Sequence, residues 1–408
     1  MKTILLCGNG MSGEVIGTIK NWGYKVALIS EFPNDVGTND ADFYIETNSK
    51  ESEAALSAVE KFIQSGVKID GVISLCWDSA ISVAMIANKL GLFSVSLDSA
   101  LKSTMKDERS DAFGKSGIPA PAYAVISSYS ELVEKISDFK FPVILKPVDQ
   151  SSSKGVIKVH GMESLSLAYT HCKKFTGCAN VILNEYLTGS EHSAEGLMVD
   201  GKFHMSAISD RVFSYEKYDP YFVEVGDIMP TMLTSEAIND VRQLVERAAL
   251  SLGIRDGVVK ADLVYSVDNG LSILEVTARL GGPRFGTEMV PLSNGTNILK
   301  AAIQQALGEN VDINLLVPKF SKGMVNRSIF PEPGIIKEIS DLTCLKECEG
   351  FYSFKWWEHE LEVGDQITPS QYGCGGVAYF IVQGATRDEA LTRADKVERH
   401  IKIYTEQR

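Results

Sequence analysis

The 408-residue chain carries 53 acidic against 40 basic side chains, a formal net charge of -13. That balance argues against nucleic acid as the main partner, because phosphate binding needs a basic surface. Hydrophobic residues make up 44% of the chain, ample core material for about two or three domains, and no apolar run is long enough to cross a membrane. The N-terminus runs straight into a glycine turn and does not read as a signal peptide. The seven cysteines are scattered without a C-x-x-C pair. Neither zinc nor a disulfide framework is expected, and buried reduced thiols in a cytoplasmic protein are.

Thr3 to Cys7 reads as a strand, followed by the G-x-G-x-x-G turn Gly8 to Gly13 and a helix marked by Val15, Ile16, Ile19 and Trp22. Strands at 24–30, 42–46 and 71–75 alternate with helices, including one over 79–90. This alternation predicts a doubly wound parallel sheet. The glycine turn has three readings: a tight turn at a helix start, an anion site made of backbone N–H groups, or a nicotinamide site with Glu31 as the ribose acid.

A helical linker over 101–115 carries Lys102, Lys106, Glu108 and Arg109, capped by Gly117 with Pro119 and Pro121 beyond. The strand Phe141 to Lys146 leads into the loop Asp149-Gln150-Ser151-Ser152-Ser153-Lys154-Gly155, whose N–H groups and hydroxyls suit phosphate. No Walker A pattern occurs. Val181 to Leu187 is a further strand, and alternation resumes over 191–197. Glu185, Glu191 and Glu195, taken singly, read as solvent-facing, and His192 receives no role. Arg211 and Lys217 fall in a polar loop-like stretch beside Tyr215, Tyr218 and Tyr221, as substrate contacts or surface.

The stretch Gly257 to Gly286 reads as two strands joined at Asp268-Asn269-Gly270, a hairpin signal. Lys260, Asp262 and Val264 share one face. Ile273, Glu275, Thr277 and Arg279 share a face of the partner strand. A two-residue loop sets Asp262 opposite Thr277 and diagonal to Glu275, and a wider loop sets it opposite Glu275. Either register puts two carboxylates on one face. At about 5 Å and an effective dielectric near 20 they repel by on the order of 3 kcal/mol. A cation between them is expected: a hard divalent ion, or Lys260 or Arg279.

The ordered set Lys146, Ser/Gly loop 151–155, Glu185-Tyr186-Leu187, Gly189-x-Glu191, Asp262, Glu275-x-Thr277-x-Arg279 and Gly281-Gly282 resembles the ATP-grasp superfamily of carboxylate–amine ligases. The resemblance covers roughly residues 100 to 310. It implies an α/β and α+β architecture: a Rossmann-like pre-ATP-grasp domain over 1–100, a nucleotide-binding and catalytic region over 101–312 with a mobile lid at about 122–195, and a C-terminal α+β segment over 313–408. By the same resemblance, Lys106 and Lys146 contact ATP phosphates, and Ser151, Ser152, Ser153 and Gly155 form the phosphate lid. Glu185, Tyr186 and Leu187 hold the adenine edge and Glu191 the ribose. Asp262, Glu275 and Thr277 hold Mg2+, or Mn2+ in its place, and Arg279 stabilises the transferring phosphoryl group or binds the substrate carboxylate. Thr277 stands where the family often has Asn, and Asp262 where it often has Glu, which leaves the number of metal ions open.

Toward the C-terminus, strands are expected at 335–339, 351–356 and 377–383, and a helix over 386–403 with Thr386 and Glu389 as a capping box. Trp356, Trp357, Glu358 and His359 are candidates for a substrate pocket, against a reading of the aromatics as core. The chemistry implied is activation of a carboxylate by ATP as an acyl phosphate and its capture by an amine, from small-molecule substrates that include an amino acid. A bicarbonate-using carboxylase and a non-catalytic ATP-binding regulator are the alternatives. Relatives of this kind are often homodimers.

Overall fold

The computed structural model describes residues 1–408 apart from 9–12, 35, 76, 283, 358, 372, 375 and 408. Most of the glycine turn and Glu358 therefore lie outside the described residues. The described strands form four sheets. The first is parallel, in the order Phe43–Glu46, Lys25–Ser30, Thr3–Cys7, Gly71–Ser74. Both its faces are apolar, as a parallel sheet between helices requires. One face, with Ile4 and Leu6, packs with Leu280, Ile298 and Ile303 and so ties this sheet to the rest of the chain.

A second, antiparallel sheet has the order Tyr123–Ile126, Val181–Glu185, Val143–Pro147, Ile157–Val159. Its core of Ile126, Val143, Leu145, Val181 and Leu183 is separate from the other cores. The strand Ser190–Val199, grouped above with the lid, instead pairs within the large sheet.

The large sheet runs Gly270–Thr277, Gly257–Ser266, Ser190–Val199, Lys202–Phe213, Val223–Met229, Gly323–Ile329, Ala378–Gly384, Phe351–Trp356. The helix Ser235–Ser251 packs Val241, Leu244, Val245 and Ala248 against one face, and Thr234 caps its start by accepting from Ala237 N–H. Three C-terminal strands, Gly323–Ile329, Ala378–Gly384 and Phe351–Trp356, thus extend this same sheet. A small sheet of Gln366–Ile367, Gly334–Ile339 and Ile403–Glu406 closes the chain.

Three local readings change. The linker is two helices, Leu97–Thr104 and Lys106–Lys115, broken at Met105, which is extended. The last helix ends at His400, and Ile403 begins a strand. Arg211 lies in the long strand Lys202–Phe213, not in a loop. Among the described residues no helix is long and apolar enough to cross a membrane.

Candidate active site

The sheets enclose a cavity of about 1330 Å³. Its floor is the predicted hairpin. Asp262 pairs directly opposite Glu275. The turn spans 267–269, and a bulge between Asp262 and Leu263 shifts the register. The bulge also breaks the alternation, so Ile273 pairs with Leu263 and packs into the apolar core while still lining the cavity beside Glu275.

Next to the pair, Arg211 and Glu191 face each other across adjacent strands. The Arg211 guanidinium lies 3.1 Å from Asp262, 3.4 Å from Glu191 and 2.6 Å from Glu224. Lys260 Nζ is 2.5 Å from Asp262 Oδ2, and Arg109 Nη2 is 3.1 Å from Glu275 Oε1. Of the cations foreseen between the two acids, Lys260 is present. Arg279 lies 2.5 Å from Asp78 and also draws the Glu275 carboxyl pKa down, and the buried Arg109 and the half-buried Arg211 stand beside the pair as well. Burial opposes ionisation of both acids, yet Arg211 and Lys260 keep Asp262 charged, and Arg109 and Lys106 hold Glu275 well below the usual carboxylate range. Buried Asp262 Oδ1 nonetheless has no hydrogen-bond partner.

The opposite wall is basic. Lys106 opens its helix at the Met105 break, its N–H donating to Val148 O at 2.9 Å and its Nζ to Gln150 O. Lys146 stands at the end of its strand among these charges. Burial lowers the pKa of both lysines, and the neighbouring Lys106 helps to bring Lys146 down to about 8. The serine loop lines the same wall. Ser152 and Ser153 adopt φ of 54° and 55°, a conformation that costs non-glycine residues energy and clusters at functional loops. A Cβ at Gly155 would lie 2.7 Å from Pro147, so that position needs glycine.

At the rim, Glu185, Tyr186 and Leu187 line the cavity. The N–H of Glu185 donates to Ala122 O at 2.8 Å and its Oε2 accepts from Ala122 N–H at 3.3 Å. Lys158 Nζ sits 4.3 Å above the Tyr186 ring. Glu191 accepts from the Tyr215 hydroxyl as well as from Arg211. Thr277 does not line the cavity, and its hydroxyl faces Lys260 O at 3.5 Å. The geometry therefore brings two of the three expected metal ligands to the cavity wall. Among the described residues no group of three or more His, Cys, Asp or Glu has metal-binding geometry. The set here is two acids, which suits an ion that takes its other ligands from phosphate and water. The orphaned Asp262 Oδ1 fits such an ion.

Sequence reasoning missed four residues here. Arg109 lies three positions after Lys106, on the same helix face, a signal that was present. Asp78 follows a strand of the parallel sheet, at the carboxyl end where ligands bind in such sheets. Arg211 looked like loop. Glu195, read as solvent-facing, is fully buried. Its Oε2 accepts from Gly281 N–H, and burial raises its pKa to about 7. Glu191, Ser193 and Glu195 alternate onto one face, so the spacing did carry that signal. A Cβ at Gly281 would lie 2.9 Å from Glu195 Oε2, which makes the glycine necessary for this contact. In the C-terminal part, Trp357 and His359 line the cavity, whereas Trp356 packs into the core.

Residues 139–287 match the ATP-grasp domain family. The chain therefore contains an ATP-grasp domain. Residues 327–406, which include the strands that extend the large sheet, match L-amino acid ligase C-terminal domain 2. The chain is 26% identical over 178 residues to a D-alanine--D-alanine ligase of Aromatoleum aromaticum, covering 43% of this chain and 56% of that one. It is 23% identical over 222 residues to an alanine--anticapsin ligase of Bacillus subtilis, covering 49% and 46%. The match spans about half the length of these curated relatives. The L-amino acid ligase of Bacillus licheniformis shares the ATP-grasp fold along the whole chain, with a TM-score of 0.83 at 19% identity, covering 100% of this chain and 99% of that one.

Proposed function

We propose that this protein is an ATP-dependent ligase that activates a carboxylate as an acyl phosphate and joins it to an amine, with an amino acid among its substrates. The observation that carries the reading is Asp262 opposite Glu275 on the floor of a cavity whose facing wall is Lys106, Lys146 and the serine loop. The C-terminal match supports the amino-acid substrate.

Asp262 and Glu275 would hold Mg2+, which when bound shields phosphate charge and polarises the phosphoryl group. Lys106 and Lys146 offset the remaining phosphate charge in a water-poor wall, where electrostatics are strong. The loop 151–155, carried by the separately cored small sheet, closes over the phosphates and excludes water. The rim at Glu185–Leu187 takes the adenine edge, and Glu191 accepts from the ribose. Arg279, fixed by Asp78, faces the transferring phosphoryl group or the substrate carboxylate. With reactants aligned and charge neutralised, no protein nucleophile is needed.

The test is ADP release in the presence of pooled acids with hydroxylamine as the amine. Acid-dependent ADP and a hydroxamate product are expected. ADP formed on bicarbonate alone would replace this reading with a carboxylase, and no turnover under any acid–amine pool would make the chain a nucleotide-binding regulator.

Lys146 adds a pH prediction. Its folded pKa of about 8 lies below the ordinary lysine value, so the free protein loses this positive charge as pH rises through that point. Phosphate binding needs the charged form and pulls the pKa back up. Nucleotide affinity should therefore be full below about pH 8 and fall by up to about tenfold per unit above it. Lys146→Arg, charged throughout, should flatten the profile. Equilibrium binding of a non-hydrolysable ATP analogue measures both, and a wild-type affinity constant up to about pH 9.5 would contradict the role.

A further inference from the structure

A second wall of the cavity forms where the segment Phe285–Met289, the strand Gly323–Ile329 and the residues after Phe351–Trp356 meet. Phe285, Met289 and Met324 share one apolar cluster, with Trp357 packed on it. Four side chains on this wall each bury a polar atom that has no hydrogen-bond partner: Arg284 Nη1, Glu288 Oε2, Asn326 Oδ1 and Trp357 Nε1. An unpaired buried polar atom costs about 1–3 kcal/mol, so four on one cavity wall mark a place built for a ligand. Two are donors and two are acceptors, which is the complement of a zwitterion. None of the four is used in the ATP chemistry above.

The geometry points to Glu288 as the residue that receives the incoming amine as its ammonium ion and takes up its proton. Asn326 Oδ1 is the second acceptor, and Arg284 Nη1 and Trp357 Nε1 are donors for that substrate's own carboxylate. The assignment rests on the ligase reading. An amine arrives protonated at neutral pH and cannot attack until it loses a proton. One N–H proton passes to Glu288, and the freed lone pair forms the C–N bond at the acyl carbon. The C–O bond to phosphate breaks, and phosphate departs with that electron pair and the second proton. Glu288 then returns its proton to solvent.

The charged surroundings suit this. Glu288 faces Arg284 on its own segment, which also bridges to Glu14 of the N-terminal helix Gly13–Asn21. From the C-terminal strand come Tyr352 and Lys355, the latter 3.0 Å from Glu14. Burial raises the pKa of Glu288, Arg284 and Lys355 pull it down, and the balance is upward, toward a better proton acceptor.

Hydroxylamine, largely unprotonated at neutral pH, separates this role from the rest of the reaction. With an equimolar pool of the proteinogenic amino acids, Glu288→Gln should lower dipeptide formation on the order of a hundredfold, while hydroxamate formation from the same pool falls by less than about threefold. The residual dipeptide rate of the variant should climb with pH along the fraction of unprotonated amine, where the wild type levels off. Glu288→Asp, which keeps the carboxylate, should recover part of the loss. Equal loss of both products in Glu288→Gln with no recovery in Glu288→Asp, or parallel pH profiles, would overturn the assignment. A wild-type protein that forms neither product from this pool would overturn the amino-acid ligase reading and this role with it.

Discussion

Asp262→Asn is expected to lower ATP turnover by about a thousandfold or more while leaving the protein folded. The substitution keeps the volume and removes the charge that, with Glu275, makes this floor attractive to a divalent ion. Arg211 keeps Glu191 and Glu224 as partners, and Lys260 still stands beside Glu275, so no buried cation is stranded. Glu275→Gln is the harsher change. Arg109 is almost completely buried and has Glu275 as its carboxylate partner. Leaving that guanidinium without its carboxylate costs about 3 kcal/mol, so lost activity would be mixed with lost stability. The Glu275 carboxyl is held below its unfolded value, so its contribution to stability is present above the ordinary carboxylate pKa and disappears as pH falls through the folded one. ADP release and a thermal melt on the same samples measure both effects. Full turnover in Asp262→Asn would remove the acid pair from the chemistry and the proposed ligase along with it.

Arg279→Ala should reduce turnover by a further large factor, about a thousandfold, because an arginine on a transferring phosphoryl group is worth that much or more. Nucleotide binding itself should weaken far less, since Lys106 and Lys146 remain. Asp78→Asn separates position from charge. Asp78 lies 2.5 Å from Arg279 Nε and also bonds Ser151 of the serine loop. Burial opposes its ionisation, but Arg279 and Ser151 keep its pKa below the ordinary value. It joins the parallel sheet to both Arg279 and the serine loop. An amide there keeps a hydrogen bond and loses the charge that aims the guanidinium, so a drop of about tenfold in kcat with KM for ATP nearly constant is expected. Single-turnover and steady-state rates across the two variants check this. Equal losses in Asp78→Asn and Arg279→Ala would mean that Asp78 acts directly on the reaction instead of through Arg279.

The ATP-grasp assignment was legible in the chain because its markers are local. A strand that ends in Lys146, a small-residue loop after it, and acids at alternate positions of a hairpin announce themselves by spacing alone. Period-two alternation put Asp262 and Glu275 on one face whichever turn was chosen. The bulge that fixed the actual register depends on how the hairpin packs on its neighbours, and it moved Ile273 into the core.

What the chain alone determined, then, was the order of elements and the residues that alternation or helical spacing gathers within one element. Tertiary structure decided which charges meet. Arg109, Arg211 and Asp78 come from a helix, a strand and a loop far apart in sequence, and their partners exist only once the sheets are assembled. It also decided that the strands Gly323–Ile329, Ala378–Gly384 and Phe351–Trp356 continue the large sheet and bring Asn326 and Trp357 to the cavity. Backbone pairing between distant strands leaves no periodic trace in either segment, because each strand's alternation records that one face is covered and not what covers it.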